Sequence, residues 1–94
     1  MLTAERTGDN GIHLRGRFDA SQVEYATSVF NQINQSCTVD MAELEYISSA
    51  GLGILLMTQK RLSHTGATLK LINANPHIKD VFRYAGFDKL FEMG

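Results

Sequence analysis

The sequence has no tryptophan, one proline and one cysteine among its 94 residues, and each scarcity removes a class of answer. A single thiol, Cys37, forms no internal disulfide, and without a second cysteine it supplies few zinc constellations. It reads as a small apolar residue buried in a strand. No Pro-rich, Gly/Ser-rich or like-charge run divides the chain. An excess of charge of one sign is also missing. Nine basic against ten acidic residues give a formal net charge of -1, so no global basic surface favours nucleic acid. The longest uncharged apolar stretch, Ile47 to Gln59, falls short of the ~20 residues a spanning helix needs and holds two serines and two glycines. No membrane insertion is expected. The opening residues, Met1 to Gly11, carry no basic segment followed by an apolar one, and the chain is expected in the cytoplasm.

What is present is enough Leu, Ile, Val, Phe and Met, within a 44% hydrophobic content, for one core in one domain, residues 1–94. Leu2 to Arg6 is short and extended, and Gly8-Asp9-Asn10-Gly11 supplies positive-φ residues for a tight reversal into Ile12 to Phe18. In that second strand Ile12, Leu14, Gly16 and Phe18 alternate with His13, Arg15 and Arg17, which predicts a buried face and a wet basic one. Asp19 or Ser21 can cap a helix in which Val23, Ala26, Phe30 and Ile33 recur at helical spacing, ending near Gln35.

Cys37 to Met41 is a strand candidate, followed by loop or extended chain from Glu43 to Ile47. A helix over Ala50 to His64 puts Leu52, Leu55, Leu56 and Leu62 on one face, gathers Lys60, Arg61 and His64 in its last turns and stops at Gly66. Ala67 to Ile72 is a further strand. Asn75-Pro76 opens a third helix with an inner stripe of Ile78, Val81, Phe82 and Ala85, ended by Gly86, after which Leu90-Phe91 packs as a short strand or turn. The alternation predicts an α/β fold: a mixed four- or five-stranded sheet, an antiparallel hairpin at its edge, right-handed crossovers and about three main helices. Strand order is left open.

No catalytic constellation emerges. His13, His64 and His77 lack metal-ligand spacing and read as solvated. Asp40, Glu43 and Glu45 read as ordinary loop charges. Gly51-Leu52-Gly53 lacks the further glycines and lysine of a phosphate loop, and Ser48-Ser49 lacks the Gly-x-Ser-x-Gly context of a nucleophile elbow. Neither a cofactor nor a metal is expected.

Ser49 falls where a strand and loop give way to a helix, and unpaired N–H donors there let a serine cap the helix or carry a phosphate that those donors stabilise. On the local pattern alone it reads as a cap. The run Asp40-Met41, Tyr46-Ile47 and Ser48-Ser49-Ala50-Gly51-Leu52 resembles the STAS-domain family of bacterial anti-sigma factor antagonists. The likeness continues in Gly16-Arg17-Phe18-Asp19 and in Asn75-Pro76 through Val81-Phe82 to Gly86-Phe87, so it covers essentially the whole chain. Many members of that family carry Asp immediately before the acceptor serine, where this sequence has Ser48.

The resemblance implies that Ser49 is phosphorylated by a partner anti-sigma factor with serine kinase activity, and that Asp19 lies beside it. The partner surface it implies comprises Asp19, Ser48, Ser49, Ala50, Gly51, Leu52 and Gly53. The unphosphorylated form would bind the partner, phosphorylation would end binding, and a separate serine phosphatase would reverse the change. The chain itself is then no enzyme. The alternative is an accessory subunit of an ABC-type lipid transporter, gripping its ATPase without being phosphorylated.

Overall fold

The computed structural model describes residues 1–8 and 10–93. Asp9, which the sequence puts in the first turn, lies outside them; Gly8 and Asn10 on either side both take positive φ. Strand β1 (Leu2–Thr7) returns as β2 (Gly11–Phe18), and a 3-10 turn (Ala20–Gln22) leads into helix α1 (Val23–Phe30). Then follow β3 (Cys37–Ile47), α2 (Ser49–Ser63), β4 (Leu69–Ile72), α3 (Pro76–Tyr84) and β5 (Glu92–Met93). The strands lie in the order β1-β2-β3-β4-β5. The first pair is antiparallel and the other three pairs are parallel, so each parallel step carries one helix. The expected mixed α/β sheet with an antiparallel edge is thus observed, with five strands.

Alternation along the strands puts Leu2 and Ala4, Ile12, Leu14 and Phe18, Cys37, Val39 and Met41, and Leu69 and Leu71 on one buried face. Ala26 and Phe30 of α1, Leu52, Leu55 and Leu62 of α2, and Ile78 and Phe82 of α3 complete the same cluster. The opposite face stays open to water, with His13, Thr38, Asp40 and Lys70 half-buried and Arg15 and Arg17 exposed. Parallel strands are ordinarily covered on both sides; polar side chains take the place of a second layer here.

Three boundaries differ from the sequence reading. Helix α1 stops at Phe30, short of Gln35, and Gln32 and Ile33 close i→i+3 turns beyond it. Arg61 holds this end in place: its Nη1 donates to Ile33 O at 2.7 Å, a carbonyl that the helix end leaves unpaired, and its Nη2 adds a second bond to Phe30 O at 2.8 Å beside that from Ile33 N. Arg61 is therefore a cap on a neighbouring helix as well as a charge in the last turns of its own. Second, Cys37 to Ile47 is one strand. Its pairing with β2 slips twice, between His13 and Arg15 and between Gly16 and Arg17, each time with one extra residue on β3. These bulges set Met41, Leu44 and Ile47 three apart on the buried face, which hides the period of two. Third, the last strand is Glu92–Met93, with Phe91 buried just before it.

Candidate functional site

Strands β2 and β3 end side by side, Phe18 opposite Ile47, and the Ser48 N–H donates to Phe18 O at 2.8 Å. Ser48 is extended (φ -86°, ψ 170°), and its Oγ accepts from Gly51 N at 3.2 Å. That is the geometry of an N-cap, so capping falls to Ser48 and not to Ser49. Aspartate and serine cap about equally well, so Ser48 performs locally what an aspartate at this position would do. Ser49 becomes the first helical residue of α2 and is exposed. The unpaired N–H groups and positive dipole end of α2 lie next to it.

The residues after Ser49 divide by direction. Gly51 and Leu52 are buried, whereas Ala50 and Gly53 are partly exposed. A Cβ on Gly51 would sit 2.9 Å from Ile47 Cγ1 and 3.0 Å from the Phe18 ring, so the start of α2 approaches the ends of β2 and β3 too closely for any side chain. Gly53 differs, because a Cβ there meets nothing within 4 Å. A glycine inside a helix costs about 1 kcal/mol relative to alanine, and only Gly51 has a packing reason for it. Asp19 leaves the sheet beside Ser48. Its carboxylate caps the 3-10 turn, accepting from the Ser21 hydroxyl and from Ser21 N at 3.0 Å. The Ser21 hydroxyl bond above all, with the Ser21 N–H and nearby Arg17, holds Asp19 below the usual carboxylate value.

Sequence reasoning missed the polar chemistry of the open sheet face. Glu43 Oε2 lies 2.9 Å from Arg15 Nε and 3.0 Å from His13 Nε2. His13 Nε2 is buried with no hydrogen-bond partner, although the Glu43 carboxylate lies against it. His13 is thus not a freely solvated histidine, and Glu43 is no idle loop charge. Asp40 accepts from Ala42 N at 3.0 Å and Asn73 Nδ2 at 3.2 Å, bonds that lower its pKa, the Ala42 N–H most. Nearest the site, the Arg17 guanidinium lies 4.4 Å over the Tyr46 ring. None of these pairs is legible without the strand register, and the bulges in β3 conceal it. Among the described residues no group of three or more His, Cys, Asp and Glu could hold a metal ion, and no helix is long and apolar enough to cross a membrane.

A sequential five-stranded sheet with a serine-capped helix leaving β3 defines the class. The profile of the family described as "Mlab, STAS domain" matches residues 2–92, and the chain belongs to that family. BtrV of Bordetella bronchiseptica, named as a candidate anti-sigma factor antagonist, is 40% identical over 55 residues, which are 58% of this chain and 47% of that protein. The matched segment thus spans about half the length of that relative. An anti-sigma factor antagonist from Mycobacterium paratuberculosis shares the fold, with a TM-score of 0.83 and 18% identity over 99% of this chain and 83% of that one. SpoIIAA, an anti-sigma factor antagonist, aligns over 100% of this chain in both its forms. The unphosphorylated form gives a TM-score of 0.73 at 19% identity over 88% of that chain. The phosphorylated form, from Bacillus, gives 0.71 at 18% over 91%.

Proposed function

We propose that this chain, acting as one STAS domain over residues 1–94, is an anti-sigma factor antagonist switched by phosphorylation of Ser49. The observation that carries the reading is the division of labour at α2: Ser48 caps, which leaves Ser49 exposed at the first helical position. The names of BtrV and of the structural relatives support the function class, and a structure of SpoIIAA in a phosphorylated form supports the switch. The docking surface is then Asp19, Ser48, Ser49, Ala50 and Gly53, with Gly51 and Leu52 forming its floor. An anti-sigma factor with serine kinase activity binds there and supplies the ATP chemistry, and a serine phosphatase restores the binding form. The chain itself needs no catalytic group.

The physical logic is electrostatic. A phosphoserine adds about -1.5 to -2 charges, which the N-terminal end of α2 tolerates in the free protein. Docking must strip water from that charge, at a cost of several kcal/mol where no counter-charge waits. A loss of ~3 kcal/mol weakens affinity more than a hundredfold. The test is incubation with the anti-sigma serine kinase of the same organism and ATP, followed by mass spectrometry and binding measurements. Phosphate is expected on Ser49, with loss of binding. Phosphate on Ser48, or undiminished binding after modification, overturns the switch. Tight binding to a transporter ATPase without modification moves the chain to the accessory-subunit reading.

A further inference from the structure

The hydroxyl of Ser48 is used by the fold in only one of its two capacities. A serine hydroxyl accepts through two lone pairs and donates one hydrogen. Ser48 Oγ accepts from Gly51 N at 3.2 Å, while its own hydrogen meets no acceptor among the described residues. Other donors gather at the same corner. Ser48 N is taken by Phe18 O and Leu52 N by Ser48 O, which leaves the N–H groups of Ser49 and Ala50 unpaired among the described residues, as the first turn of a helix does. That turn holds no acidic residue, and its cap is neutral. Helix side chains tilt toward the N-terminus, so the exposed side chain of Ser49, at the first helical position, leans back toward Ser48.

We propose that Ser48 is a positioning residue for the phosphorylated state: its oxygen keeps the cap on α2 while its hydroxyl donates to the phosphate on Ser49. The inference rests on phosphorylation of Ser49 and adds the side chain that holds the group once it is attached. An aspartate would match the cap and fail the second duty, because an ionised carboxylate only accepts and would repel the phosphate beside it. The second ionisation of a phosphoserine falls near pH 6. A donated hydrogen bond favours the more highly charged form and lowers that value, whereas a neighbouring negative charge raises it. With Ser48 in place the phosphate therefore carries its double charge at neutral pH, and the switch acts with all of it. The other titratable and charged groups at this corner are Arg17 and Asp19 at the end of β2, Glu45 and Tyr46 at the end of β3, and the Met1 amine, which acts on Asp19. They are common to every variant below.

The test uses the full chain with phosphoserine installed at position 49 by semisynthesis, as wild type, Ser48→Thr and Ser48→Asp. Phosphorus NMR titration reads the second ionisation directly. It is expected at least about half a pH unit higher in Ser48→Asp than in wild type, and Ser48→Thr, which keeps both cap and donor, is expected to match the wild type. A crystal structure of the phosphorylated wild type separates the donated bond from the effect of charge, and should place Ser48 Oγ about 2.5–3.0 Å from a phosphate oxygen. Thermal melts with and without the phosphate complete the set. The modification should raise the melting temperature of wild type and Ser48→Thr by a few degrees and that of Ser48→Asp by less. Equal titration in all three proteins, or a phosphate out of hydrogen-bond distance of Ser48 Oγ, overturns this inference and leaves the switch at Ser49 standing. Phosphate placed on Ser48 by the anti-sigma serine kinase of the same organism overturns both.

Discussion

Ser48 and Ser49 differ in duty although they are adjacent and chemically identical, and substitutions should separate them. Ser48→Ala removes the Oγ that accepts from Gly51 N and should cost about 1 kcal/mol, lowering the melting temperature by about 4–8 °C. Ser48→Asp should restore the wild-type value. Ser49→Asp, in contrast, is expected to melt within a few degrees of wild type, because a negative charge suits the start of α2. It should bind the anti-sigma partner at least about tenfold more weakly. Thermal melts and calorimetry on the three variants check both statements, and a large stability loss in Ser49→Asp counts against a switch that spares the fold. Gly53→Ala adds a methyl to open space and should raise the melting temperature by about 4 °C, and Gly51→Ala makes the opposite case. Ile47 and Phe18 are buried and cannot retreat from the added methyl, so overpacking of about 1–3 kcal/mol should outweigh the gain in helix propensity, and the melting temperature should fall.

At the level of elements, the edge strand β1 is shut by side chains of the helical layer. Tyr25 Oη accepts from Ala4 N at 2.9 Å and donates to Ala4 O at 3.2 Å, while Gln22 Oε1 accepts from Leu2 N at 3.2 Å. An open strand edge invites pairing with another chain. Tyr25→Phe with Gln22→Ala keeps the aromatic packing and frees those backbone groups, so concentration-dependent self-association above the wild-type level is expected in sedimentation velocity. Equal sedimentation across the concentration range sinks the idea. Where elements obey one period, the sequence was readable: β2 alternates cleanly, α2 shows its leucine face, and Asn75-Pro76 announces α3. The sequence fell short where distant groups decide the outcome. The end of α1 depends on Arg61, 28 positions beyond Ile33. Strand β3 carries two bulges that exist only in its pairing with β2. At the site, Ser-Ser before an apolar helix located the junction, but assigning the cap to one serine took the Ser48 dihedrals and the contact with Gly51. Nothing short of coordinates could distinguish the packed Gly51 from the open Gly53.

For the whole molecule, Asp19, Asp40 and Cys37 contribute to the pH dependence of stability. Asp19 and Asp40 are held below the ordinary value of 3.8 by their hydrogen bonds, so the unfolded chain takes up protons first. The stability they contribute is complete above that value and is lost as pH falls through their lower folded values. Burial pushes the Cys37 thiol above its ordinary 9.0. There the unfolded chain loses its proton first, and stability holds below 9.0 and declines as pH rises toward the folded value. A plateau of melting temperature between these limits is expected. Asp40→Asn should lower the neutral plateau and flatten the acid limb, and Cys37→Ala should flatten the alkaline one; unaltered limbs in either variant contradict the assignment. The strand order β1-β2-β3-β4-β5 has one more consequence, for biosynthesis. Each strand docks on the one made just before it, so a chain emerging from the ribosome can add its elements in order and never has to open a gap for a later arrival. The hairpin forms first, the Ser48-Ser49 corner follows as soon as α2 has emerged, and the two-residue β5 closes last. Nascent chains stalled once Ile72 has cleared the ribosome should therefore already resist protease through β1 to β4.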